Sequence, residues 1–348
     1  MPEININKLY LFFIIVSLNI IFLFFFDKIS KKLNLYDAPD NFRKIHTQPV
    51  SLIGGLNIFV NFIVSILCSV FLLGFKTVYI NLFIFSVKSL LILFFVLFSI
   101  FLMGFLDDKY LINPIKKLAI LIFLITIMCI NDQTTLITYF LIPYNNINIS
   151  FEQLSLIFSI SCYIFLIIAI NMFDGINLQS FFFFFINFFF IIINTGYPNP
   201  LIIAIIISLI PFGYLNYKNR IFLGDSGSYI LAFILGYFLV KIYNNGSTYN
   251  SVDIINFLFL PIIDAIRVIC QRQMKNVSMF RPDKIHIHHI LLDNYKYKKT
   301  IIILLGLVLL PHFCFILNLN PFITLFVQVL LYFFIIIKKL KKISNKKI

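Results

Sequence analysis

The chain has 348 residues, carries a formal net charge of +14 and is 61% hydrophobic but only 12% charged. Soluble domains contain about 25% charged residues, so this composition excludes a soluble enzyme with a simple membrane anchor. Apolar runs of about 20 residues, the length that crosses a bilayer as a helix, recur along the whole chain. The sequence therefore predicts an all-α polytopic membrane protein.

Eleven transmembrane helices are predicted in chain order. The first apolar run lacks a small-residue cleavage site and is as long as a span, so we interpret it as a helix and not as a signal peptide. The predicted spans are residues 9–26, 53–74, 85–106, 117–131, 153–171, 178–195, 200–217, 227–243, 252–270, 300–318 and 321–338. No internal repeat is visible, and residues 1–348 are predicted to form one integral-membrane domain.

The positive charges divide unequally between the two faces of this topology. One face holds all of the 28 Lys and Arg residues except Lys8, Lys76, Lys88 and Lys241. Because cytoplasmic loops carry an excess of Lys and Arg, we predict that this face is cytoplasmic, with the N-terminus outside and the C-terminus inside. The same distribution argues against nucleic acid as a partner.

Two further features predict structure and no chemistry. The longest loop on the other face, residues 132–152, contains an apolar stretch followed by an asparagine-rich one, which favours a small β-hairpin. All five cysteines lie in or at the ends of predicted spans and none forms a CxxC pair. We therefore predict neither a disulfide nor a zinc site from them.

The first loop on the positive face, residues 37–56, combines Arg43, Lys44 and His46 with a Gly-Gly pair that opens the second span. The N-terminus of a helix binds anions, and a guanidinium group forms bidentate bonds to phosphate. These residues are candidates for a phosphate-binding loop, with a solvated positive loop as the alternative.

The second loop places adjacent carboxylates, Asp107 and Asp108, at the edge of a span, with Lys109, Lys116 and Lys117 close behind. Repulsion between neighbouring carboxylates can raise the pKa of one of them, which favours a role as a base. Helix capping is the alternative interpretation. We disfavour it because an acidic residue at the C-terminus of a helix opposes the helix dipole.

The third and fourth loops contain candidate metal ligands. Asn171 and Asp174 are three residues apart, which places both on one face of a helix, and oxygen ligands at this spacing suit a hard cation such as Mg²⁺. Residues 224–228, Gly-Asp-Ser-Gly-Ser, directly precede a span. Their backbone amides are candidates for holding phosphate and Asp225 for holding the metal, with a turn and helix N-cap as the alternative.

The fifth loop, residues 281–292, contains Arg281, His286, His288 and His289. Three histidines at this spacing cannot easily all bind one zinc ion from a helix, so we favour imidazoles that donate to a pyrophosphate. In the preceding span, Asp264 and Arg267 are predicted to form a structural acid–base pair.

All five loops lie on the same predicted face. Carboxylates, amide donors and cations at one membrane face indicate a site for a phosphorylated, metal-bound substrate. Since a polytopic body is not needed for a soluble substrate, we expect one partner to be a lipid.

Together, these residues resemble the polyprenyl-phosphate N-acetylhexosamine-1-phosphate transferases, whose superfamily includes phospho-N-acetylmuramoyl-pentapeptide transferase. The resemblance covers residues 37–292 and rests on five ordered motifs: D-x-P…R-K-x-H…G-G, L-D-D, N-x-x-D-G, G-D-x-G-S and H-x-H-H. It implies ten or eleven helices, a cytoplasmic cleft in the membrane, and Mg²⁺, with Mn²⁺ as the alternative cation. By analogy, a homodimer is also expected.

The resemblance implies a role for each matching residue. Asp225 matches a Mg²⁺ ligand, with Asn171 as the second. Asp107 and Asp108 match the acidic pair near the attacking lipid phosphate, and Lys117 matches the lysine beside that pair.

The other matching residues are expected to contact the sugar nucleotide. Asp174 and Asn177 match positions near the nucleotide. The residues implied to cover the pyrophosphate and sugar are His286, His288 and His289, assisted by Arg281.

Two departures from the bacterial pattern stand out. The usual D-G-x-D-G-L is here D-G-I-N-L, with Asn177 and Leu178, and Ser51-Leu52 precede the Gly-Gly pair where the family often has proline. The spaced H-x-H-H after R-P-D resembles the N-acetylhexosamine branch more than the three consecutive histidines of the muramoyl-pentapeptide branch. The resemblance thus favours UDP-N-acetylglucosamine as the donor.

The expected reaction is transfer of a sugar-1-phosphate from a UDP-N-acetylhexosamine to undecaprenyl or another polyprenyl phosphate, releasing UMP. It would initiate cell-envelope glycan synthesis at the bacterial inner membrane. Phospho-N-acetylmuramoyl-pentapeptide transfer is the alternative within the superfamily. A transporter is disfavoured because the acids lie mainly at span ends, and a CDP-alcohol phosphotransferase because its D-G-x-x-A-R motif is absent.

Overall fold

The computed structural model describes residues 6–39, 48–143, 147–246, 249–281 and 283–344. Within these residues the chain is almost entirely helical. The helices are α1 (Ile6–Leu33), α2 (Gly54–Leu73), α3 (Phe75–Leu82), α4 (Val87–Tyr110), α5 (Pro114–Asn131), α6 (Ser155–Phe173), α7 (Gln179–Thr195), α8 (Pro200–Tyr217), α9 (Gly224–Asn244), α10 (Ser251–Met274), α11 (Ile287–Asn294), α12 (Tyr297–Ile316) and α13 (Pro321–Ser344).

The predicted fold class is confirmed. Each predicted span coincides with one long helix, whereas the short helices α3 and α11 were not predicted. Eight of the described helices are long and apolar enough to cross a membrane: α1, α2, α4, α5, α6, α8, α9 and α12. The chain is a polytopic membrane protein, and the number of crossings and the orientation stay predictions.

Helix α9 lies at the centre of the bundle. Its apolar segment is entirely buried inside the protein, and the helix packs against α2, α4 and α6. Glycine residues allow these helices to approach one another closely. A Cβ atom on Gly55 of α2 would lie 2.3 Å from the Gly227 nitrogen, and one on Gly104 of α4 would lie 2.4 Å from the Ser226 Cα. Three helices therefore meet at the first turn of α9.

A short antiparallel sheet and a neighbouring β-bridge connect the first motif-bearing loop to the segment before α9. Strand β1 (Tyr36–Asp37) pairs with β2 (Val50–Ser51), and Ser51 forms a parallel bridge to Ile221, just before α9. The backbone nitrogens of Gly54 and Gly55 donate to the carbonyls of Phe222 and Leu223, at 3.1 and 3.0 Å. The start of α2 is thus fastened to the start of α9.

At the opposite end of α9, the predicted β-hairpin is confirmed. Strands β3 (Tyr139–Ile142) and β4 (Ile147–Ser150) pair antiparallel. Nearby, the fully buried Lys241 of α9 forms an ion pair with Asp132 at 2.6 Å and donates to the Phe83 carbonyl at 3.0 Å. From the sequence, Lys241 was counted only as a charge on the less positive face, because its buried partner lies 109 residues earlier.

Candidate active site

Lys117 lies between two carboxylates that come from different helices. Its Nζ forms an ion pair with Oδ2 of Asp107, at the end of α4, and lies 3.6 Å from Oδ2 of Asp225 on α9. The other oxygen of Asp107 accepts a hydrogen bond from the Ile112 backbone nitrogen at 2.7 Å. The turn between α4 and α5 therefore holds the Asp107 carboxylate and the lysine together.

Asp108 caps the N-terminus of α9. Its Oδ1 accepts from the Asp225 nitrogen at 2.7 Å, and its Oδ2 accepts from the Ser226 nitrogen and hydroxyl at 3.2 and 2.8 Å. Amides at a helix N-terminus and the positive end of the helix dipole both stabilise a carboxylate. The capping interpretation that we disfavoured is therefore correct for Asp108. The dipole of α4, which carries Asp108, disfavours a cap, but the helix that Asp108 caps is α9.

Hydrogen bonds around the start of α9 also occupy backbone amides of two loops that were predicted to bind phosphate. The backbone nitrogens of Asp225 and Ser226 are occupied by Asp108, and those of Gly54 and Gly55 by carbonyls before α9. These four amides donate to protein groups in this structure, and phosphate binding by the other residues of the two loops stays a prediction.

Asp225 is the more exposed of the two carboxylates beside Lys117, with 32% of its side chain accessible against 4% for Asp107. Its Oδ1 accepts from Nδ2 of Asn171 at 2.9 Å, and its Oδ2 accepts from the hydroxyl of Tyr229 at 3.2 Å. Asn171 also donates to the hydroxyl oxygen of Ser228 at 2.9 Å. The end of α6 thus orients the Asp225 carboxylate.

Asp174 lies one residue beyond the end of α6, so it does not share a helical face with Asn171 as predicted. Its Oδ1 accepts from the hydroxyl of Ser180 on α7 at 2.6 Å. Burial, helped by repulsion from Asp225, raises the pKa of Asp174 to about 6, although the Ser180 hydrogen bond opposes the rise. Asp174 therefore titrates near neutrality.

The histidine loop packs on the residue after Asp174. A Cβ atom on Gly175 would lie 2.1 Å from Nε2 of His288, so the ring occupies the space that a larger side chain would fill. His288 is 1% exposed, and its Nδ1 has no hydrogen-bond partner among the described residues. Burial, with the neighbouring His289 and His286, holds the pKa of His288 well below its ordinary value. This imidazole is neutral.

His286 is tied to α10, where its Nδ1 lies 2.9 Å from Oδ2 of Asp264. Asp264 also forms the predicted ion pair with Arg267, at 2.6 Å, which confirms that prediction. The rings of His286 and His288 are stacked with their centroids 5.5 Å apart, and the ring centroid of His289 lies 4.3 Å from that of His288. The three histidines therefore form one continuous group.

The remaining predicted residues lie at the edge of this group or outside it. Asn177 donates to the side chain of Asn219, and its carbonyl accepts from the hydroxyl of Tyr297 at 2.8 Å. Arg281 lies on an exposed turn. The predicted anion-loop residues Arg43, Lys44 and His46 lie outside the described residues.

Several groups that hold the site together were not predicted from the sequence. Ser180 and Tyr229 contact the carboxylates of Asp174 and Asp225, and Tyr332 of α13 donates to Asp264. Ser180 follows the D-G-I-N-L segment and Tyr229 follows the G-D-S-G-S segment, so extending each motif by a few residues would have found them. Tyr332 lies in an apolar helix with no motif, and nothing in the sequence marks it.

The donor chemistry fits a divalent cation that is held partly by substrate. Mg²⁺ binds through one or two carboxylates together with substrate phosphates and water. Asp225 and Asp107 supply carboxylate oxygens on either side of Lys117. Over the described ranges, no group of three or more His, Cys, Asp and Glu side chains could form a metal site without such additional ligands.

The fold and the site define a multi-pass membrane protein whose carboxylates, lysine and imidazoles come from separate loops and meet at one end of the bundle. The model of glycosyl transferase family 4 matches residues 89–243 of the chain. This match supports the predicted family.

Similar proteins align along most of the chain. The undecaprenyl-phosphate alpha-N-acetylglucosaminyl 1-phosphate transferase of Pasteurella multocida is 28% identical over 299 residues, which cover 78% of this chain and 74% of the relative. The Escherichia coli K12 protein of the same name is 25% identical over 287 residues, 78% of this chain and 73% of the relative.

A relative from a distant bacterium carries a similar name. The probable undecaprenyl-phosphate N-acetylglucosaminyl 1-phosphate transferase of Bacillus subtilis is 25% identical over 291 residues, which cover 81% of this chain and 77% of the relative. These names agree with the N-acetylglucosamine branch that the H-x-H-H spacing favours.

Proposed function

We propose that this protein transfers N-acetylglucosamine 1-phosphate from UDP-N-acetylglucosamine to undecaprenyl phosphate and releases UMP. One observation carries the proposal: Lys117 joins Asp107 of α4 to Asp225 of α9, and Asn171 and Gly175 connect Asp225 to His288. The names of relatives that align with most of the chain support the same reaction.

In this reaction an oxygen of undecaprenyl phosphate attacks the β-phosphorus of the sugar nucleotide, and the bond to UMP breaks. Phosphoryl transfer depends mainly on positioning and charge stabilisation. Lys117 pairs with Asp107 and would orient its carboxylate toward the lipid phosphate. Asp108, fully engaged by three donors from α9, holds the start of that helix and thereby the Asp225 carboxylate.

Asp225 is the residue that would hold Mg²⁺, or Mn²⁺ in its place, with Asn171 orienting the carboxylate. When bound, such a cation neutralises negative charge on the diphosphate of the substrate. That the transfer requires a divalent cation is part of this proposal.

The histidine loop and the end of α6 would contact the sugar nucleotide. The Nδ1 of His288 is buried and has no hydrogen-bond partner among the residues that the structure describes. A buried polar atom of this kind is costly unless something binds it. We assign it to the pyrophosphate or sugar, and Asp174 and Asn177 to the nucleotide. The excess of Lys and Arg on this face supports a cytoplasmic site at the bacterial inner membrane, where the product would start an envelope glycan.

The test uses the purified full-length protein in detergent with Mg²⁺, undecaprenyl phosphate and radiolabelled UDP-sugars. We expect labelled lipid and stoichiometric UMP from UDP-N-acetylglucosamine. We expect no product from Asp225→Asn, whereas Asp27→Asn should remain active because Asp27 and its ion-pair partner Arg220 are both more than half exposed.

Three results would contradict the proposal in different ways. A folded wild-type protein that yields neither labelled lipid nor UMP rules out the reaction. Product from UDP-N-acetylmuramoyl-pentapeptide alone supports the other branch of the superfamily. Movement of a substrate across vesicles without UMP release supports a transporter.

A further inference from the structure

A buried carboxylate on α10 connects three separate segments of the protein. Asp264 is 1% exposed. Its Oδ1 accepts from the Ile287 nitrogen at 3.1 Å and from the hydroxyl of Tyr332 at 2.8 Å, and its Oδ2 lies 2.9 Å from Nδ1 of His286. One side chain of α10 thus holds the start of α11 and a residue of α13.

Arg267 completes this arrangement. Its Nη2 donates to Oδ1 of Asp264 at 2.6 Å and to the Ile285 carbonyl at 2.7 Å, and its Nε donates to the hydroxyl of Tyr332 at 2.6 Å. We call Asp264, Arg267 and Tyr332 the Asp264 clamp. The clamp holds the histidine loop at three consecutive residues, 285, 286 and 287.

The residue that follows these three is His288, whose ring fills the space over Gly175 beside Asp174. Because the backbone on its N-terminal side is fastened by the clamp, a shift of the clamp moves the ring. A small displacement of a group that contacts substrate can lower the rate strongly.

We propose that Tyr332 is a positioning residue for the active site, acting through Asp264 and Arg267 on the histidine loop. Helix α13, which contains none of the recognised motifs, is then part of the structure that determines activity. The connection to catalysis rests on the proposed function, whereas the connection to His288 rests on the contacts alone.

Tyr332→Phe tests this because it removes one hydroxyl and keeps the ring that fills the buried space. The matched control is Tyr237→Phe. Tyr237 is also buried, and its hydroxyl donates to the Leu82 carbonyl at 2.6 Å, in a part of the bundle remote from the clamp. Tyr332→Phe loses two buried hydrogen bonds, one donated to Asp264 and one accepted from Arg267, whereas Tyr237→Phe loses one. A purely structural effect should lower the stability of both variants without changing the exposure of His288.

The first measurement is the steady-state rate with UDP-N-acetylglucosamine. We expect Tyr332→Phe to lower kcat about tenfold or more, with a smaller change in KM, because a misplaced imidazole affects the reacting geometry more than initial binding. Tyr237→Phe should stay within about twofold of wild type, since its bond is remote from the site.

The second measurement does not depend on activity. Diethyl pyrocarbonate modifies accessible histidines, and mass spectrometry of the peptide containing His288 gives the rate for that residue. We expect slow modification in the wild type and in Tyr237→Phe, and several-fold faster modification in Tyr332→Phe. If Tyr332→Phe does not fold, Arg267→Lys keeps the charge but loses the forked contacts, and the same acceleration is expected.

The outcomes separate the two proposals. An active wild type with unchanged kcat and unchanged His288 modification in Tyr332→Phe overturns the positioning role. Equal effects in Tyr332→Phe and Tyr237→Phe overturn it as well. An inactive wild type overturns the proposed function, and the modification rates then still decide whether Tyr332 positions His288.

Discussion

At the scale of single residues, glycines allow the functional groups to approach one another. Gly224 has a φ of +74°, and a Cβ atom there would lie 2.6 Å from Oδ2 of Asp108. Gly175 similarly leaves room for the ring of His288. A positive φ and a close approach are the two conditions that require glycine, and each occurs here beside a residue of the candidate site.

Gly175→Ala is expected to inactivate the protein without unfolding it. The new methyl group would lie 2.1 Å from Nε2 of His288, so the ring must leave its position. We expect the transfer rate to fall about tenfold or more, as misplacement of a contacting group can cost, and circular dichroism of the variant checks that the helices remain formed.

Gly306→Ala is the matched control for this substitution. Apart from the adjoining residues of its own helix, no described residue has an atom within 4 Å of a Cβ built there, and alanine is the better helix former by about 1 kcal/mol. Activity should be unchanged. Equal rates for Gly175→Ala and wild type would show that the His288–Gly175 contact is not needed.

Asp174 predicts the pH dependence of the reaction. Burial raises its pKa to about 6, so the neutral form dominates below pH 6 and the carboxylate above it. If the carboxylate contacts the nucleotide, kcat/KM should fall on the acidic side of pH 6, by up to about tenfold per pH unit. Asp174→Asn should give a low rate without this inflection, and an identical pH profile in the two proteins would contradict the assignment.

The stability of the protein is expected to change with pH in the direction opposite to its activity. Because the folded-state pKa of Asp174 is raised above the unfolded value of 3.8, its contribution to stability is fully present below pH 3.8 and is lost as the pH rises through 6. Asp174→Asn should therefore flatten this part of the stability profile, which thermal unfolding at a series of pH values would measure.

At the scale of helices, polar groups explain which elements hold the site and which hold the bundle. Helix α10 carries the acid and base of the Asp264 clamp, and α9 presents its N-terminus to Asp108. Helix α12 has a different polar residue, His312, whose ring stacks between Phe190 of α7 and Phe257 of α10 with centroids 4.5 and 4.4 Å apart. Neither ring nitrogen of His312 has a partner in the described part of the chain.

His312→Phe is expected to stabilise the packing of α12. A buried polar group without a hydrogen bond costs about 1–3 kcal/mol, and a phenyl ring keeps the stack while removing both nitrogens. Thermal unfolding in detergent should show a higher Tm. His312→Gln, which keeps polar atoms but loses the ring, should lower it. A lower Tm for His312→Phe would mean that the imidazole binds something that stabilises the bundle.

At the scale of the whole molecule, the order of the motifs along the chain could be predicted from the sequence, whereas the contacts between the motifs could not. Apolar runs located the eleven long helices because each run is long enough to span, and the neighbouring charges located the loops. The pairing of Lys117 with Asp107 follows from a tight turn between two helices. The capping of α9 by Asp108 and the link from Tyr332 to Asp264 depend on tertiary packing, so no local pattern in the sequence contains them.

The cap on α9 has a consequence for synthesis of the protein. Asp108 and the amide of Asp225 are 117 residues apart, and four further long helices, α5 to α8, separate α4 from α9. During membrane insertion the Asp108 carboxylate must therefore stay hydrated until those helices have left the ribosome and the last partner arrives. A nascent chain that stops before α9 would carry an uncompensated acid at its membrane boundary, which makes such intermediates candidates for quality-control proteolysis.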